Sequence, residues 1–194
     1  MAVSAKVRQK ITANENDLRN NLWPNAEERL WSDRFGGFIK APKTLPYVSR
    51  ILDEMSKDFP LGSTYLALWS FTWSNNAFVR LNKADDVAYA AGFSGQRGRR
   101  TLLDRIRRLE LLGFVEVQPM GNEPNGFIYL PNPHAVIIAH QLGTGPKLPP
   151  SPPKGLTTKI PTASYNAFLS RALELGCNDV KGLLAKASGS KGKN

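Results

Sequence analysis

Apolar residues recur along this chain mainly three and four positions apart, a spacing that predicts helices with one buried face. The clearest such segments are residues 47–58, 61–74 and 84–91. The first dozen residues are polar and weakly patterned, and we expect them to be disordered or only marginally helical. Further short helices are predicted over residues 25–34, 135–142, 163–175 and from Asn178 or Asp179 to 187.

The alternation typical of strands is found only near the middle of the chain. Residues 114–118 and 127–130 alternate apolar and polar side chains, and residues 78–81 are β-prone. The sequence between the first two, Gly-Asn-Glu-Pro-Asn-Gly at 121–126, is dense in turn formers, which predicts a hairpin. The predicted order is therefore helix, short strand, helix, turn, basic helix and hairpin.

The basic helix lies within residues 92–112, and six arginines fall between positions 97 and 108. At about 100° per residue, Leu102, Ile106 and Leu109 fall within roughly 60° of one another. One face can then be buried while the other meets phosphate, as in a nucleic-acid recognition helix, although a solvated surface helix has the same pattern. The predicted outer side carries Arg97, Arg100, Asp104, Arg107 and Arg108.

Charge favours an anionic partner. The 194 residues include 26 Lys and Arg against 16 Asp and Glu, a formal net charge of +10, and the sequence pI is near 9.9. Double-stranded DNA is the first candidate, and a membrane surface or an acidic protein comes after it. No apolar run reaches the length of a membrane span, and residues 1–10 lack the apolar centre of a signal peptide, so we expect no membrane contact and a cytoplasmic, nucleoid-associated protein.

Few residues suit metal binding or catalysis. The spacing of Cys177, His134 and His140 matches no zinc motif, and we expect no metal and no cofactor. The sequence contains no nucleophile elbow, paired-carboxylate motif or metal-spaced histidine pair, so we expect no catalytic residues and no enzyme.

The element order, together with the run from Arg99-Arg100-Thr101-Leu102 to Leu112-Gly113-Phe114-Val115, resembles winged-helix DNA-binding domains. The Arg-Gly-Arg-Arg-Thr lead, the hairpin and Leu-Pro-Asn-Pro-His at 130–134 are similar to winged-helix proteins encoded on bacterial plasmids and integrative elements. The resemblance covers about residues 60–141. It implies a mainly α fold with a small β-hairpin, a winged helix-turn-helix with an N-terminal helical cover and a C-terminal helical extension.

The flanking segments complete the predicted organisation. Trp23, Trp31, Phe35 and Phe38 suggest an N-terminal cover, with base stacking as the alternative role. Residues 143–161 contain six prolines and predict an extended spacer, or a ligand for an aromatic groove. The predicted parts are an arm and cover (1–59), a winged-helix domain (60–142), a Pro-rich linker (143–161), a C-terminal helical segment (162–187) and a basic tail (188–194).

Within a recognition helix, the N-terminal part enters the major groove, where arginine can read guanine and glutamine can read adenine. Arg99 has a second interpretation, in which it ties the helix to its own domain. For the wing we predict contacts by Asn122 and Asn125 or none at all, because its tip carries Glu123 and no cation. The base-reading candidates are Gln96, Arg97, Arg100, Thr101 and Asp104. The phosphate-binding candidates are Arg80, Lys83, Arg99, Arg105, Arg107 and Arg108.

The leading hypothesis is a sequence-specific DNA-binding protein, a transcriptional regulator or a replication or partition control factor of a mobile element. The alternative is an adaptor whose winged helix and C-terminal helices bind a protein. Apolar residues of the 163–175 helix need burial, either against the domain or against another molecule, which leaves a homodimer or a protein partner open. RNA binding is disfavoured because no exposed aromatic strand pattern is present.

Overall fold

The computed structural model describes residues 5–30, 36–72 and 76–190, and the chain divides into two compact units at residue 38. The first unit contains α1 (Ala5–Leu22) and α2 (Ala26–Arg29). The sequence predicts disorder or marginal helix in the first dozen residues, but the described part of this segment, residues 5–12, lies in α1, which no glycine or proline interrupts. The predicted cover stays a prediction, since Trp31 and Phe35 lie outside the described residues.

The second unit holds the remaining elements and confirms a mainly helical fold with a small antiparallel sheet. Among the residues that the structure describes, no helix combines the length and apolar character needed to span a bilayer. The elements are α3 (Leu45–Met55), α4 (Gly62–Ser70), β1 (Phe78–Arg80), α5 (Ala84–Ala90), α6 (Gly98–Leu111), β2 (Glu116–Met120), β3 (Glu123–Tyr129), α7 (Pro133–Gln141), α8 (Thr162–Glu174) and α9 (Asn178–Ser190).

Helix α3 begins and ends earlier than the sequence predicted. Pro46 lies in its first turn, where the missing N–H would have had no helical partner, so the helix includes this proline. Its buried stripe includes Val48, Ile51, Leu52 and Met55, at the helical spacing that the sequence predicts for this segment. This stripe belongs to the main core, and the boundary that we predicted after residue 59 therefore falls inside the second compact unit.

The sheet has the order β1-β3-β2, and all its pairs are antiparallel. Val79, Ile128 and Val117 are aligned across it, and Ile128 on the central strand is fully buried. The predicted hairpin is confirmed, but its turn is shorter than the turn-forming residues 121–126 indicated, because Met120 pairs with Glu123 and leaves two residues at the hairpin tip. Residues 123–126 therefore belong to β3.

The Pro-rich segment 143–161 contains no helix, and its backbone is hydrogen-bonded to the domain. Leu156 is nearly buried and forms a bridge with Ser56, just past the end of α3. The Thr157 N–H donates to the Met55 carbonyl at 2.9 Å. The backbone of this segment therefore finds partners in the domain, which is what a buried chain without regular structure requires.

The apolar residues of the C-terminal helices are buried against other helices of the same chain. Helix α8 packs on α3, and α9 packs on α7. Phe168 and Ala172 of α8 and Val180 of α9 are fully buried in the core. Burial of these helices needs no second molecule.

We predict that Phe168→Ala lowers the free energy of unfolding by about 3 to 5 kcal/mol, because it removes a fully buried ring and leaves a cavity. Urea denaturation measures the loss. Leu173→Ala on the same helix is the matched control, since 42% of Leu173 is exposed, and should cost about 0.5 kcal/mol or less. Equal small losses in both variants would contradict the packing of α8 on the domain.

Candidate nucleic-acid interface

Two left-handed glycines set the ends of the helix pair α5 and α6. Gly92 follows α5 with φ 86°, and Gly113 follows α6 with φ 77°. At the second site the Gly113 N–H donates to the Glu110 carbonyl and the Phe114 N–H to the Leu109 carbonyl, at 2.8 and 2.9 Å. This is the Schellman arrangement that a glycine at this position allows, and it confirms the predicted end of the basic helix.

Helix α6 buries a wider arc than its apolar residues predicted. Leu102, Ile106 and Leu109 are fully buried, as expected. Arg105 and Arg108 are also buried, with only 9% and 4% of their surfaces exposed. The prediction that these two arginines hold phosphate is wrong, because neither guanidinium group faces solvent.

The two buried arginines share one carboxylate. Arg105 Nη1 lies 2.7 Å and Arg108 Nε 3.0 Å from Asp104 Oδ2, and Arg108 Nη1 also donates to the Lys154 carbonyl at 2.9 Å. The ring of Phe59 lies against both guanidinium groups, at 5.0 and 4.2 Å from its centroid. Asp104, predicted to read a base, therefore has one carboxylate oxygen engaged by two arginines of its own helix, while 45% of its side chain is exposed.

The buried surroundings of Arg105 lower the pKa of its guanidinium group. The neighbouring Asp104 carboxylate acts to raise this pKa. A guanidinium group has so high an intrinsic pKa that it remains charged, so its pairing with Asp104 is required to keep it inside the protein.

The side of α6 that the domain leaves uncovered keeps the other arginines. Arg97, Arg99, Arg100 and Arg107 are exposed there, as is Gln96 just before the helix. Thr101 is half-buried, which leaves part of its side chain accessible. The exposed cations therefore begin at the N-terminal end of α6 and continue along it to Arg107.

The structure brings this exposed side of α6 to the hairpin. Arg99 Nη2 lies 3.2 Å from Glu123 Oε2, and both side chains are more than half exposed. Asn122 is exposed at the tip beside Glu123, whereas Asn125 is half-buried on β3. Arg99 thus contacts the hairpin tip through an exposed ion pair.

The remaining phosphate candidates lie outside the helix. Arg80 is exposed on the edge strand β1, where its guanidinium carbon lies 5.9 Å from the centroid of the Phe127 ring. That ring stacks on Phe78 at 5.7 Å. Lys83 is exposed immediately before α5. Both cations are exposed to solvent, whereas Arg105 and Arg108 are buried.

The structure also assigns a role to His140 that the sequence did not indicate. The ring is half-buried, and its Nε2 lies 2.8 Å from the Leu112 carbonyl, at the end of α6. The ring also stacks on Phe114, with centroids 6.2 Å apart. With a proton on Nε2, the imidazole donates to a carbonyl that the helix itself leaves without a partner. No sequence signal links two residues so far apart.

Comparison of the chain with models of known protein families, with curated proteins and with solved structures found no match in any of the three. The residues of the surface itself indicate its chemistry. Exposed guanidinium groups can donate to phosphate oxygens and, in paired geometry, to the edge of guanine.

We predict that Arg108→Ala lowers the free energy of unfolding by about 2 to 4 kcal/mol, because it removes hydrogen bonds to a carboxylate and a carbonyl within a buried site. Arg107→Ala, one position away and exposed, should change it by about 0.5 kcal/mol or less. Chemical denaturation of both variants gives the comparison. Equal stabilities would mean that the arginine pair does not hold α6.

Proposed function

We propose that residues 60–142 form a winged-helix domain that binds double-stranded DNA through α6. The element order α4-β1-α5-α6-β2-β3 and the sheet order β1-β3-β2 support this proposal. In such a domain the second helix of the helix-turn-helix enters the major groove, and here that helix is α6.

The observation that carries the proposal is the separation of the arginines on α6. The domain buries two of them, which pair with the half-exposed Asp104, whereas Arg97, Arg99, Arg100 and Arg107 are exposed and Arg99 contacts the hairpin. Exposed cations on one helix face neutralise DNA phosphates and release counter-ions, which is the main source of affinity in DNA binding. The net charge of +10 favours the same partner.

Roles follow from position along α6. Gln96, Arg97, Arg100 and Thr101 lie at its N-terminal end and are assigned to base edges, because this end of a recognition helix reaches deepest into the groove. Arg107 lies nearer the C-terminal end and is assigned to phosphate. Arg105 and Arg108 are buried and pair with Asp104 of the same helix, and Arg108 also donates to the Lys154 carbonyl. They fix the helix on the domain and leave their neighbours to face DNA.

The biological role proposed here follows the resemblance to winged-helix proteins of plasmids and integrative elements. The protein would act by occupying a DNA site, either to regulate transcription or to control replication or partition. The adaptor alternative was motivated by the Pro-rich segment and by the apolar residues of α8. Both features have partners within the chain, so neither now calls for a second protein.

We predict that Arg100→Ala costs about 1 to 3 kcal/mol of binding free energy at the preferred site and relaxes base discrimination there. Selection of sites from random duplex DNA at two salt concentrations, followed by titration of each variant, measures both effects. Arg107→Ala should instead weaken binding to all sequences alike and reduce the salt slope by about 1.

The Arg108→Ala variant is the control for loss of stability, because Arg108 is buried and does not contact DNA. It shows how much DNA binding is lost when stability falls but no DNA contact is removed. Binding at wild-type strength by both the Arg100 and Arg107 variants would overturn the assignment of α6. Salt-sensitive binding without an enriched motif would overturn sequence specificity while leaving the DNA partner in place.

We predict that Glu123→Gln strengthens DNA binding about two- to fivefold at low salt, because it removes a negative charge at the wing tip and frees Arg99 for phosphate. The gain should shrink as salt screens the exposed charges. Glu116→Gln on β2 makes the same charge change away from the tip and serves as control. Weaker binding by the Glu123 variant would show that the pair with Arg99 is needed to position the wing.

A further inference from the structure

Three potential metal ligands converge where α7 meets α9, well apart in sequence from the α6 surface. His134 lies in the first turn of α7, Cys177 immediately precedes α9, and Asp179 lies in the first turn of α9. One ligand atom from each, a ring nitrogen, a sulfur and a carboxylate oxygen, lies within 4.8 Å of the other two. This juxtaposition arises from tertiary structure, because the three positions form no recognised sequence motif.

The ring of His134 is held in a defined orientation. Its Nε2 lies 2.6 Å from Thr44 Oγ1, and its Nδ1 lies 2.7 Å from Asp179 Oδ2. The ring is almost completely buried and tilts against Phe168, with centroids 5.3 Å apart. When Nε2–H donates to the threonine oxygen, the lone pair of Nδ1 faces the cluster, which is how a hydrogen bond on one nitrogen prepares the other to bind a metal.

The carboxylate of Asp179 is oriented as well. Asn132 Nδ2 donates to Asp179 Oδ2 at 2.9 Å, while Asn132 Oδ1 accepts from the backbone N–H of His134 at 2.9 Å. A single asparagine thus caps α7 and positions the carboxylate beside the imidazole. Metal ligands are commonly oriented by second partners of this kind.

We propose that His134, Cys177 and Asp179 form a zinc-binding site, with water as the fourth ligand. Imidazole, thiolate and carboxylate are the ligand types that Zn²⁺ takes in proteins. Ligands at zinc distances in a tetrahedron lie roughly 3.3 to 3.7 Å apart, so the imidazole and carboxylate need to separate by less than about 1 Å from their hydrogen-bonded position.

The site is accessible from solvent. The Asp179 side chain is 38% exposed, and Cys177 is half-buried, although His134 lies beneath them. Zn²⁺ entering from this side would displace the proton of the thiol into solvent. The proton that His134 Nδ1 shares with Asp179 would move to Nε2, which then donates to Thr44 Oγ1, so that Zn²⁺ would replace the hydrogen bond between His134 and Asp179. It would thereby tie α9 to α7 and, through Thr44, to the start of α3.

Cobalt(II) is the probe for the test, because it takes the ligands and geometry of zinc but absorbs light. The full chain, freed of metal with a chelator, is titrated with Co²⁺. We expect one equivalent to produce tetrahedral visible bands and a near-ultraviolet thiolate-to-cobalt band, both removed by Zn²⁺. Since Cys177 is the single cysteine of the chain, any thiolate band is assigned to it without further experiment.

Variants then test each ligand. Cys177→Ser should abolish the thiolate band, and Asp179→Asn and His134→Asn should each remove tight binding. Thr44→Val, which removes the orienting hydroxyl, should weaken affinity about 10- to 100-fold. His140→Gln, which removes the other histidine, is the control and should leave the spectrum unchanged. Far-ultraviolet circular dichroism checks that each variant is folded.

A second readout does not depend on cobalt. The thermal midpoint of the wild-type protein should rise with Zn²⁺ concentration, because only the folded chain brings the three ligands together. The midpoint of Asp179→Asn should not. Unchanged affinity in that variant would mean that the cysteine binds the metal without the cluster. That result, or the absence of tetrahedral bands in the wild type, would overturn the proposal and leave the cluster as a set of hydrogen bonds.

Discussion

The packing of one side of α6 is the constraint on which the rest of this structure depends. That side combines three fully buried apolar residues with Arg105 and Arg108. Charged groups can be buried only with compensating partners, so the helix requires Asp104, Phe59 and the Lys154 carbonyl to lie where they do. The position of α6 and the path of the Pro-rich segment are therefore coupled through one guanidinium group.

This packing also decides which arginines can reach a ligand. Arg107 and Arg108 are adjacent in sequence, yet the first is in solvent and the second is enclosed. Neighbouring residues of a helix point about 100° apart. A buried arc that is slightly wider than the apolar stripe therefore encloses Arg108 and leaves Arg107 in solvent. The proposed DNA surface therefore consists of the arginines of α6 that the domain does not bury.

The C-terminal half of the chain serves the same domain. The segment 143–161 pairs with the end of α3, α8 and α9 contribute Phe168, Ala172 and Val180 to the core, and His140 donates to the end of α6. The cluster of His134, Cys177 and Asp179 lies at the contact of α7 with α9. The proposed metal site would therefore influence how firmly the C-terminal helices are attached, at a distance in sequence from the residues assigned to DNA.

The sequence by itself determined the local features of this protein. Helical spacing, the glycines after α5 and α6, and the strand alternation of the hairpin are properties of short segments, and each was predicted from neighbouring residues. Sequence reasoning failed for α1, where an unbroken polar segment forms a helix without a strong apolar stripe. It also failed for the hairpin turn, because turn-forming residues at 123–126 are paired as a strand.

Only the tertiary structure decided the fate of the polar and charged side chains. Arg108 is buried because a carbonyl 46 residues later accepts its hydrogen bond. His134 is buried because Thr44, 90 residues earlier, and Asp179, 45 residues later, contact its two nitrogens. A hydrophobic pattern records which residues avoid water, but the burial of a charge depends on partners that the fold brings from distant positions in the chain.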